Sequence, residues 1–119
     1  HIGQKEDKGG NSVKVQWFGK GTNLHTVWDT KMIEYWNMSY LELAESAQDL
    51  SKKQIKAIEA GTLADWVDEI HEVTRKVYKS VEVGENLRYK YSYEHFDTVR
   101  EQLQRGGIRL AKILNDIFA

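Results

Sequence analysis

Apolar and polar residues alternate over residues 11–18, with Val13, Val15 and Trp17 on one side of the alternation. A period of two is typical of a strand with one buried face, so we predict a strand here. The preceding residues 1–10 are polar and contain glycine, which favours a loop. A single short strand requires a pairing partner, and the alternation identifies none.

After the strand, the chain changes to helical signals. Residues 19–23 contain two glycines and predict a turn. Three polar residues then occupy N-cap positions, and two of them form capping-box patterns with a glutamate or glutamine three residues later. The N-caps are Asn23, Ser39 and Ser51, and their helices are predicted to end near Trp36, near Leu50 and before Gly61.

The second half of the chain has two long apolar stripes at helical spacing. The first follows an N-cap at Thr62 and runs to about Lys79, with apolar residues recurring every three or four positions. Residues 80–91 have no clear period, and Ser92 is then the predicted cap of a last helix. A glycine pair at positions 106–107 would be unfavourable on an exposed helix, so we predict a close helix crossing or a kink there.

Together these elements predict a mainly α fold, a helical, bundle-like domain with one short strand or hairpin. The composition fits one small globular domain, since the chain has 119 residues, of which 40% are hydrophobic and 29% charged. A formal net charge of −1 argues against duplex binding through many phosphate contacts. Cysteine is absent, which excludes disulfides and thiolate ligands, and no apolar run reaches the ~18 residues of a membrane span.

His25 and Asp29 lie four residues apart at the start of the first predicted helix. Their side chains would share a face, with Cβ atoms about 6 Å apart, so an imidazole nitrogen and a carboxylate oxygen could bind one cation. Zinc accepts such ligands and takes three protein ligands in a catalytic site, so a third must come from elsewhere. Without further context, the pair is more typical of a solvated helix surface.

Motifs around this pair resemble those of the S1/P1 nucleases. They are Asn23-Leu-His-Thr-Val-Trp-Asp29, Gly9-Gly-Asn11 before the strand, and His1-Ile-Gly3 at the start. The stretch Gly107-Ile-Arg-Leu-Ala-Lys-Ile-Leu-Asn115 is similar to the closing helix of that family. The resemblance spans nearly the whole chain but only about the second half of the family's pattern. It implies that residues 1–119 are the C-terminal part of a single domain of the phospholipase C/P1 nuclease type.

By position, the resemblance assigns His1, His25 and Asp29 as ligands of one zinc ion. The family site has three zinc ions, and the remaining ligands, among them an N-terminal tryptophan, belong to the first half of the pattern. Activity is therefore expected to require an N-terminal part that these 119 residues do not contain, in the same polypeptide or as a companion chain. Asn11 and Thr30 lie near the ligands in sequence and are candidate substrate-binding residues.

The implied activity is zinc-dependent hydrolysis of phosphodiester bonds in single-stranded DNA and RNA and of 3′-nucleotides. The resemblance also implies a secreted or periplasmic protein, monomeric when complete, with no membrane partner. Two alternatives remain open. One is a metal-free helical interaction module with His25 and Asp29 as an ordinary surface pair, and the other is a zinc phospholipase C-like phosphodiesterase. The Asn-Leu-His and Trp-Asp motifs favour the nuclease.

The other candidate residues have simpler interpretations. His71 is predicted to be a surface residue, and His95 a structural or exposed one. The four tryptophans occupy apolar positions and are expected to pack in the core, although their rings could stack on bases. Tyr89, Tyr91 and Tyr93, in the segment without a period, are better candidates for exposed rings that contact a nucleotide.

Overall fold

A computed structural model of the chain describes residues 9–37, 39–46 and 49–119. Helices dominate this part, which confirms the mainly α prediction, and a small sheet accompanies them. The strands are β1 (Lys14–Trp17), β2 (Lys20–Asn23) and β3 (Asn86–Leu87). The helices are α1 (Leu24–Thr26), a π-helical turn (Val27–Lys31), α2 (Met32–Tyr35), α3 (Tyr40–Glu45), α4 (Lys52–Glu59), α5 (Leu63–Lys79) and α6 (Tyr89–Phe118). Because α1, the π-helical turn and α2 are continuous, we call residues 24–35 the site helix.

Strand β1 is the centre of the sheet, whose strand order is β2-β1-β3. It pairs antiparallel with β2 and parallel with β3, and Val15 on its inner side is only 2% exposed. The prediction of a turn over residues 19–23 was wrong, because only Phe18 and Gly19 separate the two strands. Both have positive φ, 51° and 81°, as in the two-residue turns that match the twist of a hairpin.

The predicted helix starts are confirmed where the signal is local. The side chain of Asn23 accepts a hydrogen bond from the Thr26 N–H at 2.8 Å, and complete capping boxes begin at Ser39, Ser51 and Thr62. These bonds satisfy backbone donors that a helix leaves free in its first turn. The helix after Ser39 is shorter than predicted, since it ends at Glu45 rather than near Leu50.

Helix α6 begins before its predicted cap. Its first helical residue is Tyr89, and Ser92 lies inside the first turn, fully buried. The Ser92 hydroxyl accepts a hydrogen bond from the Trp36 indole N–H at 2.9 Å, so a partner distant in sequence occupies the side chain expected to cap the helix. The helix also continues through the glycine pair at 106–107, with no described atom within 4 Å of a Cβ built on either glycine. The predicted break or close crossing is therefore not found among the described residues.

The hydrophobic core joins the sheet, the site helix and the N-terminal half of α6. Trp17, Trp28 and Trp36 pack against it, and Trp66 is buried elsewhere, which agrees with core roles for the tryptophans. Tyr91 is buried as well and lies on a helix, so the prediction of an exposed ring was wrong for this residue. The buried members of the core are Val15, Val27, Met32, Leu87, Tyr91, Phe96 and Val99.

A buried arginine connects α4, α5 and α6. The Arg109 side chain is 8% exposed, donates to the Ile58 carbonyl at 3.1 Å and to a Glu69 carboxylate oxygen at 2.8 Å, and stacks over the Trp66 ring. Arg105 donates to the second Glu69 oxygen at 2.9 Å. The hydrogen bond from Arg109 holds the pKa of Glu69 below its usual value. These contacts set the position of α5, which forms one wall beside the site helix.

Candidate metal centre

Two consecutive glycines hold the loop before β1 against the start of the site helix. Gly9 and Gly10 have φ values of 70° and 90°, a region that residues with a Cβ rarely adopt. The Gly10 carbonyl accepts from the N–H groups of Val13 and His25, at 3.2 and 3.3 Å. A Cβ on Gly10 would lie 3.1 Å from the backbone nitrogen of His25, so a side chain here would press on the start of the site helix.

The Gly9 carbonyl sets the tautomer and orientation of the His25 ring. It lies 3.0 Å from His25 Nδ1. Because a carbonyl oxygen can only accept, Nδ1 is a nitrogen that carries a proton, and in the neutral form of the ring Nε2 then keeps its lone pair. Metal-binding histidines commonly donate one ring N–H to a carbonyl in this way while the other nitrogen binds the ion. The loop therefore presents Nε2 as a ligand atom.

Asp29 supplies a carboxylate next to that nitrogen. Its Oδ2 lies 3.9 Å from His25 Nε2, which is longer than a hydrogen bond. Zinc binds nitrogen and carboxylate oxygen at about 2.0–2.2 Å, so two ligand atoms at this separation are within reach of one ion. The two side chains are 43% and 72% exposed, and this openness leaves room for an ion and further ligands.

Asp29 and Thr30 lie on the π-helical turn, in which the Met32 N–H bonds to the Val27 carbonyl five residues earlier. Such turns are rare and are frequently found at functional sites. The spacing of four residues between His25 and Asp29 predicts an ordinary α-helical turn and contains no signal for the wider one. The shared face was foreseeable, but its local geometry was not.

A groove opens beside the pair. Its volume is about 640 Å³, and His25 and Asp29 form part of its wall with Gly9 and Gly10. The rest of the lining is mainly apolar and comes from the site helix, α5 and α6. Representative lining residues are Trp28, Ile33, Val73, Val77, Val99 and Leu103. The candidate ligands thus lie at an apolar groove and not on an isolated polar surface.

A partly buried cluster beside the groove includes Trp28, the residue before Asp29. The Trp28 indole N–H donates to the Tyr91 hydroxyl at 2.9 Å, and the Ser80 hydroxyl lies 2.7 Å from the same oxygen. Burial raises the pKa of Tyr91, so the hydroxyl stays protonated. The His95 ring packs against both Trp28 and Tyr91, and its pKa is lowered mainly by burial. These contacts join residues distant in sequence, which sequence reasoning could not pair; the predicted structural role of His95 agrees with them.

The other candidate residues lie outside the described residues or away from the groove lining. His1 lies outside the described residues, so the set of three ligands stays a prediction; within the described ranges, no three His, Asp or Glu residues are placed to hold an ion. Asn11 is exposed and Thr30 is half-buried, and neither is among the residues that line the groove. His71 is half-buried on α5. Of the helices described here, none is long and apolar enough to cross a membrane.

Comparison with known proteins gives one consistent family. The family model described as S1/P1 Nuclease matches residues 1–119. Endonuclease 2 of Arabidopsis thaliana is 32% identical over 139 residues, a match that covers 99% of this chain and 46% of the relative. Endonuclease 4 and endonuclease 1 of the same plant are 30% and 29% identical, and the matches cover 45% and 44% of their lengths. The chain therefore spans less than half the length of these relatives.

Proposed function

Because the chain belongs to the S1/P1 nuclease family, we propose that it is part of a zinc-dependent nuclease. The longer protein would hydrolyse phosphodiester bonds in single-stranded DNA and RNA, and 3′-nucleotides as well. The names of the plant relatives support an endonuclease. In this proposal the protein is secreted or periplasmic, and the 119 residues supply one part of its catalytic site.

The observation that carries the proposal is the arrangement of Gly9, His25 and Asp29. The Gly9 carbonyl fixes the Nδ1 proton of His25, and Nε2 faces the Asp29 carboxylate at 3.9 Å. An ordinary surface ion pair needs no such orienting bond, because a solvated ring gains little from a fixed tautomer. A neutral imidazole nitrogen next to a carboxylate is a donor set that zinc accepts. We propose His1 as the third ligand on the strength of the family resemblance.

Each residue then has a defined task. Gly9 holds the ring proton, His25 presents a neutral nitrogen, and Asp29 contributes a negative charge and an oxygen. A bound zinc cluster would supply a water acidic enough to act as hydroxide near neutral pH, together with charge stabilisation at the phosphate. Asn11 and Thr30 are proposed to contact substrate, a role for which proximity in sequence is the only support.

The decisive activity test uses the complete protein and a single-stranded DNA substrate. We expect the Asp29→Asn variant to lose about 100-fold or more of its activity, because the amide removes the charge that holds the ion. Asp97→Asn is the matched control, since Asp97 is an exposed carboxylate on α6 paired with Arg100. Wild-type activity in Asp29→Asn, with activity in Asp97→Asn also unchanged, would refute the metal role. Parallel assays on a phospholipid distinguish a phosphodiesterase of the phospholipase C type.

Metal content separates the nuclease from a metal-free interaction module. We expect zinc in proportion to protein, a lower zinc content in His25→Ala, and a lower thermal midpoint after treatment with a chelator. An ion present at 100 times its dissociation constant stabilises the fold by about 2.7 kcal/mol, which is easily measured. Absence of zinc, together with a thermal midpoint that the chelator does not change, would favour the interaction module.

A further inference from the structure

One face of α6 is buried in its first half and uncovered in its second. At 100° per residue, Ser92, Phe96 and Val99 share a face that packs into the core. The same face continues along the helix as apolar residues that are largely exposed. They are Leu103, Leu110, Leu114 and Ile117, with exposed fractions of 51%, 57%, 45% and 64%. A core-facing stripe thus extends beyond the core that the described residues form.

The glycine pair falls in the middle of this uncovered stretch. Apart from proline, glycine is the least favourable residue in a helix interior, and Gly106 and Gly107 neither end nor interrupt α6. Neither glycine has a described atom within 4 Å of the position a Cβ would take. Glycine in such a place permits a close approach by another backbone, and the described fold provides none. We call Leu103, Gly106, Gly107, Leu110 and Leu114 the open face.

The open face adjoins the groove of the candidate metal centre. Leu103 belongs to both, and the groove continues over Val99 to His25 and Asp29. On α5, Ile70 also lines the groove, and Ile70 and Val67 are 40% and 42% exposed. A single covering layer could therefore bury the open face and reach the metal ligands.

The composition of the face and the length of the relatives indicate that the covering layer is polypeptide. The exposed side chains of the face are leucines, which suit apolar packing and offer no positive charge to a phosphate. The plant relatives are more than twice as long as the matched part, so a longer protein would contain enough additional chain to cover this surface.

We propose that the open face is the packing surface for the polypeptide that precedes residue 1 in the longer protein, and that its backbone crosses α6 at Gly106 and Gly107. That segment would also bring further ligands to the groove, a part of the inference that rests on the proposed nuclease function. The packing itself does not depend on metal or activity.

The test exchanges glycine and alanine in two forms of the protein. In the 119-residue chain, Gly107→Ala should raise the thermal midpoint by roughly 4 °C, because alanine favours an exposed helix. In the complete protein, the same change should lower the midpoint, because the added methyl group would clash with the crossing backbone. Ala57 is exposed within α4 and is not part of the open face, so Ala57→Gly is the matched control and should lower the midpoint in both forms.

Three results would overturn the proposal. One is a higher thermal midpoint of Gly107→Ala in the complete protein as well. This measurement does not require the 119-residue chain to fold alone. The 119 residues could prove to be the entire natural product. Sedimentation could detect a dimer of this chain that Leu110→Glu dissociates, which would assign the open face to a second copy. Each result concerns folding or assembly, so it is distinguishable from loss of zinc or of nuclease activity.

Discussion

At the residue scale, Gly9 and Gly10 determine the direction of the His25 ring. Their positive φ values turn two successive carbonyl groups towards the start of the site helix. One carbonyl accepts the backbone N–H of His25 and the other accepts its ring Nδ1–H. The ligand orientation is therefore built into the backbone of the loop.

We expect Gly10→Ala to destabilise the protein and weaken zinc binding together. The methyl group would combine an unfavourable φ with a contact of 3.1 Å to His25, for a loss of about 2 kcal/mol. Gly19→Ala is the control, because Gly19 has a similar φ of 81° but open space around its Cβ position. Urea denaturation and zinc titration of both variants measure the difference. Equal effects on stability and affinity would mean that the contact with His25 is unimportant.

His95 should make stability sensitive to mildly acidic pH. Burial lowers its pKa from the usual 6.5, so the folded state takes up the proton less readily than the unfolded chain. The contribution to stability is complete above pH 6.5 and is lost as the pH falls through the folded pKa. Denaturant midpoints at pH 7.5 and 5.5 should differ less for His95→Gln than for the natural chain. An identical difference in both proteins would show that His95 does not contribute.

Only part of the site was predictable residue by residue. His25 and Asp29 could be paired because ligand type and spacing are local properties. The bond from His25 to Gly9 spans 16 positions and depends on the positive φ of two glycines. The Gly-Gly-Asn motif indicates that the loop turns, but it does not predict which way the two carbonyl groups point. The cluster of Trp28, Tyr91 and His95 arises only from tertiary packing.

At the element scale, helix starts were predictable where the cap is a short-range hydrogen bond and not where tertiary contacts decide. The two capping boxes predicted at Ser39 and Ser51 are present, and Thr62, predicted only as an N-cap, forms a third with Asp65. Strand β2 was missed because its sequence, Lys-Gly-Thr-Asn, lacks apolar alternation and pairs through its backbone. Ser92 was mistaken for a cap because its true partner, Trp36, is 56 positions away.

Helices α4, α5 and α6 should depend on Arg109. We expect Arg109→Met to lower the free energy of unfolding by about 2 kcal/mol, because the Ile58 carbonyl and Glu69 lose their buried donor. This loss of free energy is smaller than that expected for a fully buried ion pair, because Glu69 is 38% exposed and water can solvate it.

The control for this prediction is Arg75→Met. Arg75 makes an exposed pair with Glu72 within α5, so its replacement should change stability by less than about 0.5 kcal/mol. Chemical denaturation of both variants provides the comparison. Similar losses in the two would indicate that the contacts of Arg109 between helices add nothing.

At the scale of the whole molecule, the core is concentrated where the sheet and the site helix meet the first half of α6. The last residues of α6, from Leu110 to Phe118, are mostly exposed and have few neighbours to stabilise them. The mainly α class was predictable because it sums many local patterns. The off-centre position of the core was not predictable, since it depends on which apolar faces pack against one another in the folded chain.

This arrangement predicts uneven hydrogen exchange along α6 in the 119-residue chain. Amides of residues 92–104 should exchange at least about tenfold more slowly than those of residues 110–118, because exposed helix ends open locally. Exchange measured by NMR resolves the two groups. Uniform protection would mean that α6 opens as a single unit and that its second half is already supported.

The π-helical turn acts on the ligand pair and not on the interior. Because it accommodates one residue more than a regular turn, deleting Thr30 would return the segment to α-helical geometry and leave Met32, which is fully enclosed, on the same face as before. The deletion would instead change the angle between the side chains of His25 and Asp29, which the wider turn sets. A shorter regular helix would therefore fill the interior equally well and hold the cation differently.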